Sequence, residues 1–304
     1  MTQTHFSDHL SRRDFIRTGV LGLTALGLPR SLFAADSTTQ VWMIHGTNNA
    51  ALMRRAIEII DKNGGFGRNV RSLALKVNAA WAREPETGAN THPELVDEFL
   101  KGCHASGISN ITLPEHPCAR AEQSFTRSGI LAAAEENEAE MIDLGGRDYD
   151  EVELPNARNL RSAKVARQYL ESDVVINMPV AKHHGGATLT ISMKNWMGAV
   201  QDRGFWHRND LHQCIADFSS FMKPRWSLVD ATRIMKSRGP QGPSRDMEHP
   251  NLLIVSRDQV AADTVAATLF HKDPTKAVKY LKIAGEMGIG ETKLDHITIH
   301  KIEA

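Results

Sequence analysis

The constraint that most narrows the fold of this chain is its order of strand-like and helix-like segments. Short runs of branched aliphatic residues at 41–44, 73–77, 111–113, 174–178, 228–230, 252–255 and 297–300 predict strands. Between most of them lie longer segments with apolar residues at helical spacing, at 50–62, 93–105, 129–138, 210–221 and 259–270. Such alternation predicts an α/β fold, a mainly parallel sheet flanked by helices in Rossmann-like layers. Helix starts agree with this order. Thr91-His92-Pro93-Glu94 has the Thr-x-x-Glu capping pattern with proline in the first turn, and Asp258 is placed to cap the helix after it. Gly64-Gly65-Phe66-Gly67 supplies a glycine stop for the segment before it. In an open parallel sheet, ligands bind beyond the carboxyl ends of the strands, so those ends are where site residues are sought.

The first 35 residues stand apart from this pattern. Arg12 and Arg13 precede a short apolar run from Thr18 to Leu28, followed by Pro29 and the small residues Ala34 and Ala35. These are the three regions of a secretory signal, and the paired arginines mark the Tat type. The run is about half the roughly 20 residues that cross a bilayer, so it predicts a cleaved signal and no membrane span in the mature form. The expected organisation is residues 1–35 as Tat signal and 36–304 as a single α/β domain, delivered by the Tat translocase to the periplasm. Without Arg12, Arg13, Arg17, Arg30, Asp8 and Asp14, the 36 basic and 36 acidic residues become 32 and 34, a net charge of −2. That balance predicts no nucleic-acid partner.

The predicted strand ends gather unusual polar residues. Lys76-Val77-Asn78 ends one strand, and Glu115 and His116 follow another. After 174–178 come Lys182-His183-His184-Gly185-Gly186 and then Thr190-Ile191-Ser192-Met193-Lys194-Asn195. A separation of four places Thr190 and Lys194 on one face in either a strand or a helix. Lys76, Lys182 and Lys194 converging near glycine backbone would bind a carboxylate or phosphate. His183, His184 and His207 are the acid–base candidates, since histidine titrates near neutral pH. Asp263 interrupts an apolar helical stripe, so a lysine or backbone amide partner is expected for it. Glycine-rich segments at 239–243 and 288–290 are candidate loops over the site. A metal alternative takes His183 or His184 with His207 and either Asp217 or Asp230, without a zinc-signature spacing. Of three cysteines, Cys103 and Cys214 fall on apolar helix faces, while Cys118 follows Glu115 and His116 in a polar loop. One cysteine in the loop cannot ligate an iron–sulfur cluster alone.

Taken in order, Lys76-Val77-Asn78, Thr91-His92-Pro93, Asp173 to Pro179, Lys182-His183-His184, Lys194 to Gly198, Gly239-Pro240 and Ser256 to Asp263 resemble the family called domain of unknown function 362. The resemblance implies a redox setting, because members are often joined to ferredoxin-like iron–sulfur proteins. This chain carries no cysteine-rich module, and Pro243 stands where a second glycine is often found. Any iron–sulfur cluster or metal is therefore expected through a ferredoxin-like or other redox partner. The leading expectation is a periplasmic, redox-associated protein that holds a small anionic ligand or cofactor. Lys76, Asn78, Lys182, Thr190, Lys194, Asn195 and Asp263 would form its binding site. The alternatives are a metal-dependent hydrolase using His and Asp ligands, and a non-catalytic cofactor-binding or maturation factor.

Overall fold

The structure, a computed structural model, describes residues 38–240 and 242–304. The paired arginines, the apolar run and Ala34-Ala35 lie outside the described residues. In chain order the first half comprises β1 (Thr39–His45), α1 (Asn49–Lys62), β2 (Ser72–Val77), α2 (Pro93–Ala105), β3 (Asn110–Glu115), α3 (Ala121–Arg127), α4 (Ile130–Glu136) and β4 (Glu140–Asp143). A hairpin of β5 (Tyr149–Glu153) and β6 (Ser162–Ala166) leads through α5 (Arg167–Glu171) to β7 (Val174–Met178), β8 (Val180–His184), β9 (Thr188–Thr190) and the single turn α6 (Ser192–Asn195). The rest comprises α7 (Arg203–Arg208), α8 (Leu211–Phe221), β10 (Trp226–Met235), β11 (Met247–Glu248), β12 (Leu252–Ser256), α9 (Gln259–Ala267), α10 (Pro274–Ala277), α11 (Lys279–Glu286) and β13 (Ile297–Glu303).

The main sheet has the order β13-β1-β12-β10-β7-β2-β3-β4. From β10 to β4 every neighbour is parallel, whereas β12 runs antiparallel to both β1 and β10. The α/β class and the mainly parallel sheet agree with the sequence pattern. Period-two alternation divides the core between the two faces of the sheet. Leu73, Leu75 and Val77 pack on one side with Ile176, Phe99 and Leu52, while Ala74 and Val175 face Trp196, Phe218 and Tyr280 on the other. Helices therefore cover both faces. Among the described residues no helix is long and apolar enough to cross a membrane.

Two local expectations need adjustment. The cap of α2 is His92, whose Nδ1 accepts the Glu94 amide at 3.3 Å, with Pro93 in the first turn as expected. Thr91 is drawn off: its hydroxyl accepts the Asn78 amide and donates to the Met178 carbonyl, tying the ends of β2 and β7 together. A buried cross-strand tie thus outcompetes the local cap. The loop at 288–290 does not reach the site either; Gly290 packs against Asp258, the cap of α9.

Candidate functional site

Alternation along β2 and β7 places Lys76 and Asn177 side by side on one face, because their backbones are register partners. Each is the penultimate residue of its strand, so two polar groups meet at the carboxyl edge of the sheet. Asn195, at the end of α6, knits them together. Its amide nitrogen donates to Asn177 Oδ1 at 2.9 Å and to the Lys76 and Val77 carbonyls at 3.2 Å, and its oxygen accepts from Asn78. The turn α6 is itself held from behind. Asp263 on α9 accepts the backbone amides of Ser192 and Met193 at 2.8 and 3.0 Å. This fulfils the expected amide partnership, and it places Asp263 behind the site rather than in its lining, where it was anticipated as a ligand contact. Burial raises the Asp263 carboxyl to about 7 against the pull of those amides.

In front of this scaffold lies a cavity of 460 Å³. Its lining includes Lys76, Asn78, Lys182, His184, Thr190, Lys194, Asn195 and His207, so most of the anticipated residues do converge. His183 is absent from the lining; its Nδ1 accepts the Gly239 amide at 3.1 Å and fastens the 239–240 turn, from which Pro240 reaches the cavity. Glu115, His116, Cys118 and Arg203 also line it. The first three were noticeable as polar residues after β3, but Arg203, within the Asp-Arg-Gly segment that opens α7, gave no signal of its own.

The three lysines are buried in different ways. Lys76 is committed: its ammonium lies 2.8 Å from Glu115 and 2.6 Å from the Val77 carbonyl. Glu115 also accepts the Ala79 amide at 3.1 Å. This pair requires Gly198, since a Cβ there would lie 1.8 Å from Glu115 Oε1. Burial holds Lys76 below the ordinary lysine range, and Glu115 offsets part of that shift. Lys182 donates to Asn78 Oδ1 at 3.1 Å and to the Ala89 carbonyl. Burial first and the Lys194 charge second bring it down to about 7. Lys194, with 8% exposure, has no hydrogen-bond or ion-pair partner among the described residues. Burial, with Arg203 acting in the same sense, lowers it to about 8 against the opposing influence of Cys118. Near it the Thr190 hydroxyl is also buried without a partner.

The histidines differ from the acid–base expectation. His184 Nδ1 accepts two backbone amides, from Gly186 and Ala187, each at 3.1 Å. Protonating that nitrogen would break both bonds, and burial with the nearby lysine charges lowers the residue to about 3. His184 is thus a neutral ring whose Nε2–H is a fixed donor, stacked against His207 with ring centres 6.4 Å apart. Burial lowers His207 as well. His116 uses Nδ1–H to donate to the Val200 carbonyl at 3.0 Å, and Arg203 braces the same loop through the His116 and Pro117 carbonyls, both at 2.6 Å.

The metal alternative fails on position. Asp217 accepts the amides of Arg158, Asn159 and Leu160, and Asp230 is locked to Arg233, Thr232 and His92. Neither joins the histidines, and no group of three or more His, Cys, Asp or Glu that could hold a metal occurs among the described residues. A cluster ligated by this chain's own thiols does not fit either. Cys118 lines the cavity, but Cys103 and Cys214 are buried on apolar helix faces.

Comparison with known proteins agrees with the order of motifs. The family model described as "Domain of unknown function (DUF362)" matches residues 73–268. A thylakoid-associated protein of Synechocystis sp. is 22% identical over 232 residues, covering 74% of this chain and 70% of that protein. Among solved structures, the lactate racemase apoprotein of Thermoanaerobacterium thermosaccharolyticum is similar at a TM-score of 0.47 and 12% identity. That match covers 77% of this chain and 57% of the other.

Proposed function

The chain belongs to the domain of unknown function 362 family, and from that premise we propose that it is an exported, periplasmic protein that binds a small anionic ligand or cofactor at the carboxyl ends of β2, β3 and β7. The observation that carries this reading is Lys194, a buried lysine that lines the cavity with no hydrogen-bond or ion-pair partner among the described residues. Burying an unpaired charge is costly, and an anion in the cavity would relieve that cost. Lys182, Arg203 and the fixed donor of His184 add complementary groups around it. Calorimetric titration with phosphate and oxalate should give binding in the wild-type protein and binding weakened by about 10- to 100-fold in Lys194→Met. Equal affinity in the two proteins would remove Lys194 from the site.

Export is proposed from Arg12 and Arg13 and the run that follows. Lysine at both positions should leave the protein in the cytoplasm, and continued periplasmic recovery would refute the Tat assignment. An iron–sulfur centre would have to be borne by a partner, because the cysteines among the described residues are not placed to bind a cluster. Anaerobic purification followed by iron, sulfide and absorbance measurements checks this point. The binding or maturation-factor reading gains from one observation: His184 is held as a donor and is poorly suited to shuttle protons.

A further inference from the structure

We propose that the anion is a small 2-oxo acid and that Lys194 captures it covalently as an imine, a proposal that rests on the anion-binding reading above. The choice of nitrogen follows from the three lysines. Lys76 is engaged by Glu115 and a carbonyl, and Lys182 by Asn78 and a carbonyl. Only the Lys194 amine lacks an acceptor among the described residues, so releasing a proton breaks no hydrogen bond there. Desolvation beside other cations is how a lysine becomes a nucleophile. At about pH 7.5, an amine titrating near 8 is free base on the order of a hundredfold more often than an exposed lysine.

The ligand class follows from what surrounds that amine. Lys182 and Lys194 line one cavity, and Lys182 feels the Lys194 charge. A 2-oxo acid carries its carboxylate one bond from its carbonyl carbon, so the Arg203 guanidinium in the same lining can hold the carboxylate while the Lys194 amine meets the carbonyl. The His184 Nε2–H is a further donor in the lining. Thr190, whose buried hydroxyl has no partner among the described residues, can serve the carbonyl oxygen. The neutral Lys194 nitrogen attacks the carbonyl carbon, and the C=O π pair moves to oxygen, which takes up a proton. Loss of the second amine proton and of the hydroxyl as water then forms the C=N bond. Amine and carbonyl give imine and water, with no oxidant or reductant consumed.

The test is reductive trapping with cyanoborohydride and pyruvate on the whole mature protein, followed by peptide mass mapping. The expected result is a single carboxyethyl group on Lys194, formed at a rate that rises through about pH 8 and suppressed by excess oxalate. Lys194→Arg should show no such adduct, while the wild-type map locates the modification whether or not that variant folds. Adducts spread over exposed lysines, with none enriched at Lys194, would overturn the proposal. Oxalate binding measured by calorimetry, without a trapped adduct, would overturn the imine and leave the anion site standing. Neither heat nor adduct would overturn both.

Discussion

Two clusters of buried charge lie at the same edge of the sheet and grip the same loop, yet they are finished differently. Arg233 donates to Asp230 Oδ2 at 2.6 Å, to the Pro85 carbonyl at 2.7 Å and to the Asn90 carbonyl at 2.9 Å, while Thr232 occupies the other oxygen of Asp230. One residue away, Ala89 accepts from Lys182, whose neighbour Lys194 has no such partner. A saturated cluster has nothing left to offer a ligand; an unsaturated one carries a desolvation cost that a ligand can relieve. The difference teaches which buried charges serve the fold and which serve the cavity.

The largest expected effect breaks the saturated side. Asp230→Ala leaves the Arg233 guanidinium buried and unpaired, which should cost about 3–5 kcal/mol of unfolding free energy in urea titrations. A loss below about 1 kcal/mol would mean that Arg233 finds water or another partner, and the contrast would collapse. On the unsaturated side, Lys194→Met should reduce oxalate or phosphate affinity by about 10- to 100-fold, the worth of one charge-assisted hydrogen bond. Its melting temperature should stay level or rise, since an uncompensated buried charge is removed. A marked loss of stability instead would show that Lys194 supports the fold.

Proton linkage sharpens the comparison. Lys182 and Lys194 titrate at about 7 and 8, both below the ordinary lysine value because of burial. Raising the pH through this interval discharges both, so anion affinity should fall from about pH 7 upward. Stability should move the other way. Between the lowered folded pKa and the unfolded value near 10.4, the unfolded chain binds more protons, so stability rises with pH by up to about 1.4 kcal/mol per pH unit for each lysine. Affinity that persists to pH values near 10 would assign binding to exposed lysines instead.

The fold was legible because its signal is local and repeated. Strand 174–178 and helix 93–105 match the structure residue for residue, and Asp258 caps α9 as its position suggested. The hairpin of β5 and β6 escaped notice because Tyr149–Glu153 carries three acidic residues in five and lies apart from the main sheet. β8 was hidden because its Lys182-His183-His184 end resembles a polar loop. At the site, the lysines and Asn195 were legible as polar residues in improbable company after apolar runs. What sequence could not convey was partnership. Nothing in the order of residues distinguishes Lys76, paired with Glu115 thirty-nine positions away, from Lys194, which has no ion-pair partner among the described residues. Nor does it reveal that His184 is pinned by two amides of its own turn.

The finest probe of the contrast is a matched pair of substitutions of nearly constant volume. Thr232→Val removes a hydroxyl that donates to Asp230 at 2.7 Å and accepts from Arg233 at 3.3 Å, so it should cost about 1–3 kcal/mol of stability with anion binding unchanged. Thr190→Val removes a buried hydroxyl that has no partner among the described residues, so stability should be unchanged or slightly improved. Its effect should appear in binding, as a loss of a few-fold consistent with about 1 kcal/mol for one neutral hydrogen bond. Urea titration and calorimetry on the two variants therefore give crossed results if each cluster has its assigned role. Equal stability losses would imply that Thr190 is satisfied in solution by water, and equal binding losses would imply that the loop held by both clusters transmits disturbance from either one.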